Sequence, residues 1–259
     1  MADFVKFLHK FEMLNIDRNF THNKVHKREA ENMEDKTENT VQKEEMGLIN
    51  TTKGAHPIHC LTIIGQIEGH FESNSQIKTT KYEHVIPQLV SVQEDPDIEG
   101  LLIILNTVGG DVEAGLAIAE LICGMTKPTA SIVLGGGHSI GIPLAVSAKR
   151  SFIVPTATMT VHPVRHSGTV LATMQTMNYL DSIQERVTGF VTRNSRISKS
   201  KFTKLMAKNG ELIMDQGTVL DGNGAVEEGI IDQIGYIGDA LEFLYSEIEK
   251  NTQKSRKTT

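Results

Sequence analysis

The sequence predicts an α/β protein built around a parallel sheet, and three observations support this class. Stretches rich in β-branched residues alternate with stretches whose apolar residues repeat every three to four positions. The run from Ile98 to Leu105 is apolar almost throughout, which is typical of a strand covered on both faces. Glycines follow two of the predicted strands, where a helix begins. Together these features indicate repeated βαβ units with helices on both faces of the sheet.

In the first half of the domain, strands and helices alternate regularly. Ile58 to Ile67 is rich in Ile, Leu and Thr, and Ile98 to Leu105 forms the continuous apolar run. The helices between and after them follow from apolar residues at helical spacing, although Pro87 interrupts the first. In chain order we predict a strand at 58–67, a helix at 82–90, a strand at 98–105, a helix at 112–122 and a strand at 130–134.

After the third strand, Gly135, Gly136 and Gly137 are expected to break the chain before a helix at 140–148. Two short strands follow at 152–154 and 158–161. A three-to-four-residue apolar repeat then predicts a long helix at 169–192. Shorter helices are predicted at 198–208, 224–228 and 240–249.

Composition and charge exclude several classes of protein. The chain has 259 residues and a net charge of −6, which argues against nucleic-acid binding through a strongly basic surface. The two cysteines, Cys60 and Cys123, cannot form a disulfide framework, and no Cys or His spacing suggests a metal site. No apolar run approaches the roughly 20 residues of a membrane helix, and no secretory signal is visible. We therefore expect a cytoplasmic protein without an integral membrane segment.

Apolar residues are distributed unevenly along the chain. Residues 21–47 hold seven acidic and five basic residues but few apolar ones, and residues 1–53 are therefore expected to form a charged, disordered N-terminal extension. Residues 54–250 carry the strand and helix patterns and are expected to form one compact domain. Residues 251–259 are polar and are expected to form a flexible tail.

Three strand ends carry residues that could perform chemistry. Gly109 and Gly110 close the second strand, where accessible backbone N–H groups at a helix start favour negative charge. Ser139 follows a glycine-rich strand end, a setting that suits either a nucleophile or a helix N-cap. His162 ends a short apolar strand and could act as a base or as a structural histidine. Because parallel strands end at one edge of a sheet, a serine hydrolase could bring these groups together there.

At these three segments the chain resembles the proteolytic subunit of the Clp protease, the ClpP family. The landmarks, in order, are the Gly-Gly turn, the Ser in a small-residue turn, the His after Pro155, and the closing stretch Gly224 to Asp232. Within that family the chain is similar to a ClpP-like branch linked by name to protein translocation. The resemblance implies the ClpP/crotonase-like fold of repeated βαβ units, with the long helix as a protruding handle.

The resemblance also implies roles for individual residues. Ser139 would be the nucleophile, His162 the base, and the backbone N–H groups of Gly110 and Ile140 the oxyanion hole. The third triad residue is less clear, because the family spacing points to Gly217. Asp215 is the predicted acid, and Asp221 is the alternative.

Partners follow from the same resemblance. It implies polypeptide substrates, no metal or cofactor, and a homo-oligomeric ring, hexameric or heptameric and stacked in pairs. The family's N-terminal loop that meets a Clp-type ATPase has no clear counterpart before Pro57, so dependence on such a partner stays open. His138 stands where the family has a small residue, and Pro163 follows His162 directly, so substrate preference cannot be transferred.

Three alternatives to a ClpP-like peptidase also remain open. The uncertain acid allows a non-catalytic ClpP-like assembly subunit. The related crotonase fold allows an acyl-CoA enzyme that uses paired backbone donors. A membrane signal-peptide peptidase of the Ser-Lys type is the least favoured, because such enzymes usually carry a membrane anchor.

Overall fold

The computed structural model describes residues 49–51, 54–70, 76–165, 174–212 and 215–258. The compact unit that they form runs from Ile49 to the C-terminus. The predicted N-terminal extension, residues 1–53, lies outside the described residues except for 49–51, which form a strand paired with residues 58–60 instead of a disordered segment. No helix within the described ranges is long and apolar enough to cross a membrane.

A nine-stranded sheet forms the centre of the unit. Six strands pair side by side along its main path, and all of them except the first run parallel to one another. The strands of this path are β1 (Ile49–Thr51), β2 (Ile58–Glu68), β4 (Gly100–Gly110), β5 (Thr129–Gly137), β6 (Arg150–Ile153) and β11 (Gln233–Ile234). The shared direction places the ends of β4 and β5 at one edge of the sheet.

Shorter strands extend the sheet at its edges. β3 (Thr79–Lys81) pairs with the end of β2, and β7 (Thr158–Val161) pairs with the end of β5. The antiparallel partner of β7 is β10 (Thr218–Asp221), whose Thr218 lies opposite Val161. A separate two-stranded sheet joins β8 (Asn209–Leu212) to β9 (Asp215–Gln216).

Seven helices complete the described part of the chain. They are α1 (Tyr82–Glu94), α2 (Val112–Gly124), α3 (Gly141–Val146), α4 (Met174–Arg193), α5 (Lys199–Met206), α6 (Gly222–Glu227) and α7 (Ile237–Thr258). The larger core cluster joins one face of the sheet to residues of α1–α6, with Leu105, Ile118, Leu144 and Phe190 among its fully buried side chains. On the opposite face Ala240, Leu244 and Ile248 of α7 pack on Ile58, Leu102 and Ile132. The mixed α/β fold with its parallel sheet is therefore confirmed.

The structure corrects two local expectations. Gly135–Gly137 does not break the strand, because Gly136 pairs with Thr158 and Gly137 with Thr107 inside the sheet. Residues 251–258 do not form a flexible tail, because α7 continues to Thr258. The Thr252 hydroxyl donates to the Ile248 carbonyl one turn earlier in this helix.

Candidate active site

Gly109 and Gly110 are the last two residues of β4, where the left-handed backbone of Gly109 turns the strand end toward the nucleophile candidate. Gly109 has φ +91°, and a Cβ on it would lie 2.7 Å from the Cβ of Ser139. Any other residue at 109 would therefore be strained and would collide with the serine. The buried Thr107 holds this turn, because its Oγ1 donates to the Gly65 carbonyl (2.6 Å) and accepts from the Gly109 N–H (3.0 Å). The turn fixes how closely the end of β4 approaches the serine.

Ser139 occupies a strained turn between β5 and α3. Its φ of +56° makes it the one non-glycine residue in the described chain with a positive φ. Such a conformation costs of order 1–3 kcal/mol for a residue that carries a Cβ. Backbone hydrogen bonds hold it: the Ser139 N–H donates to the Thr160 carbonyl (2.9 Å) and the His138 N–H to the Thr107 carbonyl (3.2 Å). A serine held at a strained strand-to-helix turn is the geometry of a nucleophile elbow.

His162 follows the last residue of β7 and lies beside the serine turn. Its Nδ1 is 2.6 Å from the Pro163 carbonyl oxygen. Since a carbonyl only accepts, Nδ1 carries the proton in this contact, and Nε2 is left as the basic nitrogen. The next residue, Val164, donates its N–H to Oε1 of Gln184 on α4 (3.0 Å). Helix α4 thus holds the segment that leaves the histidine.

One cavity of about 210 Å³ brings four of the predicted site residues together. Ser139, His162, Gly110 and Ile140 all line it. Its walls are largely apolar and come from α2, α3, β7, α4 and α5, through Val112, Ile142, Val161, Val187, Phe202 and Met206. This volume would accept an apolar side chain beside the serine.

The predicted acids are placed differently from the other site residues. The backbone of Asp215 lies in β9, but its side chain lies outside the described residues. Asp221 pairs with Thr158, four residues before His162 and so about 13 Å along the strand. Its carboxylate accepts from the Gly224 N–H (2.7 Å) and caps α6. The last pair between the two strands is Thr218–Val161, one residue short of Gly217 and His162.

Three polar residues of the site were missed in the sequence analysis. Thr107 and Thr160 bond to the serine turn, and Gln184 bonds to the segment after the histidine. Thr160 alone could have been suspected, because a polar residue interrupts a short apolar strand. Among the described residues, no group of three or more His, Cys, Asp or Glu is arranged to hold a metal ion.

The fold and the pocket together define a class. A parallel sheet whose strand ends bring a Gly-Gly turn, a strained serine and a histidine to one cavity is typical of α/β proteins with a serine-hydrolase site. Comparison with known proteins identifies the family within that class. The Clp protease family profile matches residues 58–237, and the chain belongs to this family.

Individual relatives agree with this assignment. Translocation-enhancing protein TepA from Halalkalibacterium halodurans is 60% identical over 193 residues, which cover 74% of this chain and 75% of that protein. The ATP-dependent Clp protease proteolytic subunit of Streptococcus uberis is 27% identical over 58% of this chain and 76% of its own length. A ClpP1 variant from Listeria monocytogenes has the same fold, with a TM-score of 0.56, 21% identity, and coverage of 70% of this chain and 94% of that one.

Proposed function

We propose that this protein is a ClpP-like serine endopeptidase. The observation that carries the proposal is the strained Ser139 in the same cavity as His162. Membership of the Clp protease family supports it, since relatives in that family are described as proteolytic subunits. The reaction would be hydrolysis of a peptide bond through an acyl-enzyme.

Each site residue has a separate role in the proposed reaction. The Ser139 hydroxyl attacks the scissile carbonyl while Nε2 of His162 takes its proton. The backbone N–H groups of Gly110 and Ile140 stabilise the negative oxygen of the tetrahedral intermediate. The imidazolium returns the proton to the leaving amine, and the acyl group remains on the serine. A water molecule, activated by the same imidazole, then releases the acid.

We assign Asp215 as the residue that orients the imidazole. The Pro163 carbonyl occupies Nδ1 of His162 in this structure. A complete triad therefore requires the Asp215 carboxylate to replace that carbonyl. The Pro163 carbonyl can fix the tautomer of the His162 ring, but only a carboxylate adds the negative charge that stabilises the imidazolium.

Assembly into a ring is the second part of the proposal. The first half of α4 exposes Met174, Met177 and Tyr179, whereas its buried residues begin at Ile183. An amphipathic helix with an exposed apolar half is suited to contacts with further copies of the chain. We propose a hexameric or heptameric ring, stacked through α4, that takes polypeptide substrates into its chamber. The cytoplasmic location, a Clp-type ATPase partner, a role in protein translocation and independence from cofactors remain predictions.

Hydrolysis of short fluorogenic peptides tests the proposed function. The matched variants are Ser139→Ala and, as a control outside the cavity, Ser246→Ala on α7. We expect Ser139→Ala to lower turnover by about three orders of magnitude or more, because the nucleophile is lost. Ser246→Ala should keep the wild-type rate. Turnover that survives Ser139→Ala would contradict the proposal.

A non-catalytic assembly subunit is the second candidate. The hydrogen bond from His162 to the Pro163 carbonyl favours it, because that carbonyl stands where an orienting carboxylate is needed. This candidate predicts ring formation without hydrolysis of any peptide. Cleavage that disappears on His162→Ala would exclude it.

A further inference from the structure

His138, directly before the nucleophile, makes a contact that the proposed mechanism does not use. Its ring is half-buried, and Nδ1 lies 2.9 Å from Oγ1 of Thr160 on β7. Thr160 precedes the candidate base by two residues. The contact therefore joins the residue before the nucleophile to the strand that carries the base.

Thr160 bonds to the nucleophile turn twice. Its carbonyl accepts from the Ser139 N–H at 2.9 Å, and its hydroxyl meets the His138 ring at the same distance. Two adjacent hydrogen bonds to one residue restrict rotation of the turn more than either bond does alone. This restriction matters because Ser139 has φ +56°, a strained backbone conformation that persists only when surrounding contacts hold it.

The surroundings of His138 fit a neutral imidazole. A Cβ on Gly136 would lie 2.6 Å from its Nε2, so the ring packs against the strand backbone in space that only glycine leaves open. Burial lowers the pKa of His138, and the charge of nearby His162 lowers that pKa further. The neutral ring can exchange one hydrogen bond with a hydroxyl without bringing a second charge beside the base.

We propose that His138 and Thr160 form a positioning pair, which holds Ser139 in register with His162. Neither residue lines the cavity that holds Ser139 and His162, so the pair should affect the chemical step rather than substrate binding. This inference rests on the proposed peptidase function. A second measurement, which detects the hydrogen bond between His138 and Thr160 without any activity, therefore distinguishes failure of the pair from failure of the peptidase proposal.

Steady-state kinetics on short peptides provide the first test. Thr160→Val removes the hydroxyl and keeps the shape, and Thr160→Ser keeps the hydroxyl. We expect Thr160→Val to lower kcat about tenfold with little change in KM, as for the loss of one hydrogen bond. Thr160→Ser should recover most of the rate, and Thr158→Val on the same strand should leave the rate unchanged.

The double variant tests whether the two residues act as one unit. His138→Ala combined with Thr160→Val should be no slower than the slower of the two single variants. Wild-type kcat in Thr160→Val, or a change confined to KM, overturns the inference.

Histidine NMR of the assembled protein provides the second test and needs no activity. We expect Thr160→Val to shift the titration of the His138 ring, and Thr160→Ser to leave it near the wild-type curve. An unchanged His138 titration in Thr160→Val overturns the pair, whether or not peptides are cleaved. Shifted titration in a protein that cleaves nothing would instead count against the peptidase proposal and, with it, the catalytic role of the pair.

Discussion

At the scale of single residues, the serine turn depends on Thr107. This side chain is fully buried, and both of its hydroxyl bonds, to Gly65 and Gly109, connect β2 to the Gly-Gly turn. Its carbonyl also accepts from the His138 N–H. One residue therefore fixes the approach of the glycine turn and the start of the serine turn.

Replacing Thr107 tests this dependence. Thr107→Val leaves the Gly65 carbonyl and the Gly109 N–H without that partner inside the protein, which should lower the free energy of unfolding by about 1–3 kcal/mol. Thr107→Ser keeps the hydroxyl and should lose less. Urea unfolding at a fixed protein concentration measures the difference. Equal stability of the valine variant and the wild type would contradict this role.

The sequence was informative about residues whose chemistry is distinctive. Ser139 and His162 stood out because each ends a strand of one predicted sheet, and the structure places both at one cavity. Thr107 and Gln184 did not stand out, because a polar residue in the sequence does not reveal which backbone group it meets. Asp215 stays a prediction, since only its backbone is described.

At the scale of elements, helix α4 supports the histidine segment through Gln184. Its Oε1 accepts from the Val164 N–H, and Gln184 also lines the cavity.

Replacing Gln184 tests this support. Gln184→Met removes the acceptor and keeps the length of the side chain. We expect kcat/KM to fall several-fold to tenfold, in line with the loss of one hydrogen bond. Glu185→Gln, next along the helix and paired with Lys199, is the control and should retain the wild-type value. A fall of equal size in both variants would argue against a specific role for Gln184.

A ladder of two ion pairs joins α2 to α4. Arg186 donates to Glu113 through its two terminal guanidinium nitrogens (2.5 and 2.8 Å), and Arg193 donates to Glu120 at 2.7 Å. The hydrogen bond from Arg186 lowers the pKa of Glu113, and the positive charge of Arg186 acts in the same direction against the opposing effect of burial. These side chains are about half exposed, so solvent screens their attraction.

The pH dependence of this ladder follows from the sign of the shift. A carboxyl whose pKa is lowered in the folded state contributes stability above its unfolded pKa and loses it as the pH falls through the folded value. Glu113→Gln should therefore cost less than about 1 kcal/mol at pH 7, and the difference should vanish at strongly acidic pH and in molar salt. Urea unfolding measures the difference in the free energy of unfolding between this variant and the wild type, with Glu242→Gln on α7 as the control. A difference that grows as the pH falls would refute this reading of the pair.

Elements were easier to predict than their limits. Strand 158–161 and the long helix follow from apolar spacing, and the structure has them as Thr158–Val161 and Met174–Arg193. Gly135–Gly137 remains in β5 because pairing with β4 and β7 outweighs the poor strand propensity of glycine. The two-residue strand β9 and the short β10 carry too few residues for a pattern to emerge.

At the scale of the whole molecule, the sheet has a differently built layer on each face. Helices α1 to α6 supply the larger core, and among the described helices α7 is the one that packs on the start of the strands on the other face. The cavity therefore lies at the strand ends on the side of the larger core, next to α4 and α5. The alternation of strands and helices predicted helices on both faces and a site at the strand ends, but neither the uneven distribution of the helices nor the extent of α7.

Self-assembly through α4 gives a prediction at this scale. Met177→Asp places a charge on the exposed apolar half of the helix, which should split the proposed ring into smaller species because a buried unpaired charge is costly. Gln253→Glu on α7 adds the same charge at an exposed position away from this surface, and it should leave the assembly intact. Size-exclusion chromatography with light scattering measures the mass of each variant. Unchanged mass for Met177→Asp, or a monomeric wild type, would contradict assembly through this surface.

The most direct test of the central claim is to map a fluorophosphonate adduct by mass spectrometry of digested protein. The claim predicts a single phosphonylated residue, Ser139, since only a serine activated beside a base reacts readily with this electrophile. His162→Ala should abolish or strongly slow the modification, and Ser246→Ala should not affect it. An adduct on another residue, or none on the folded wild-type protein, would contradict the account.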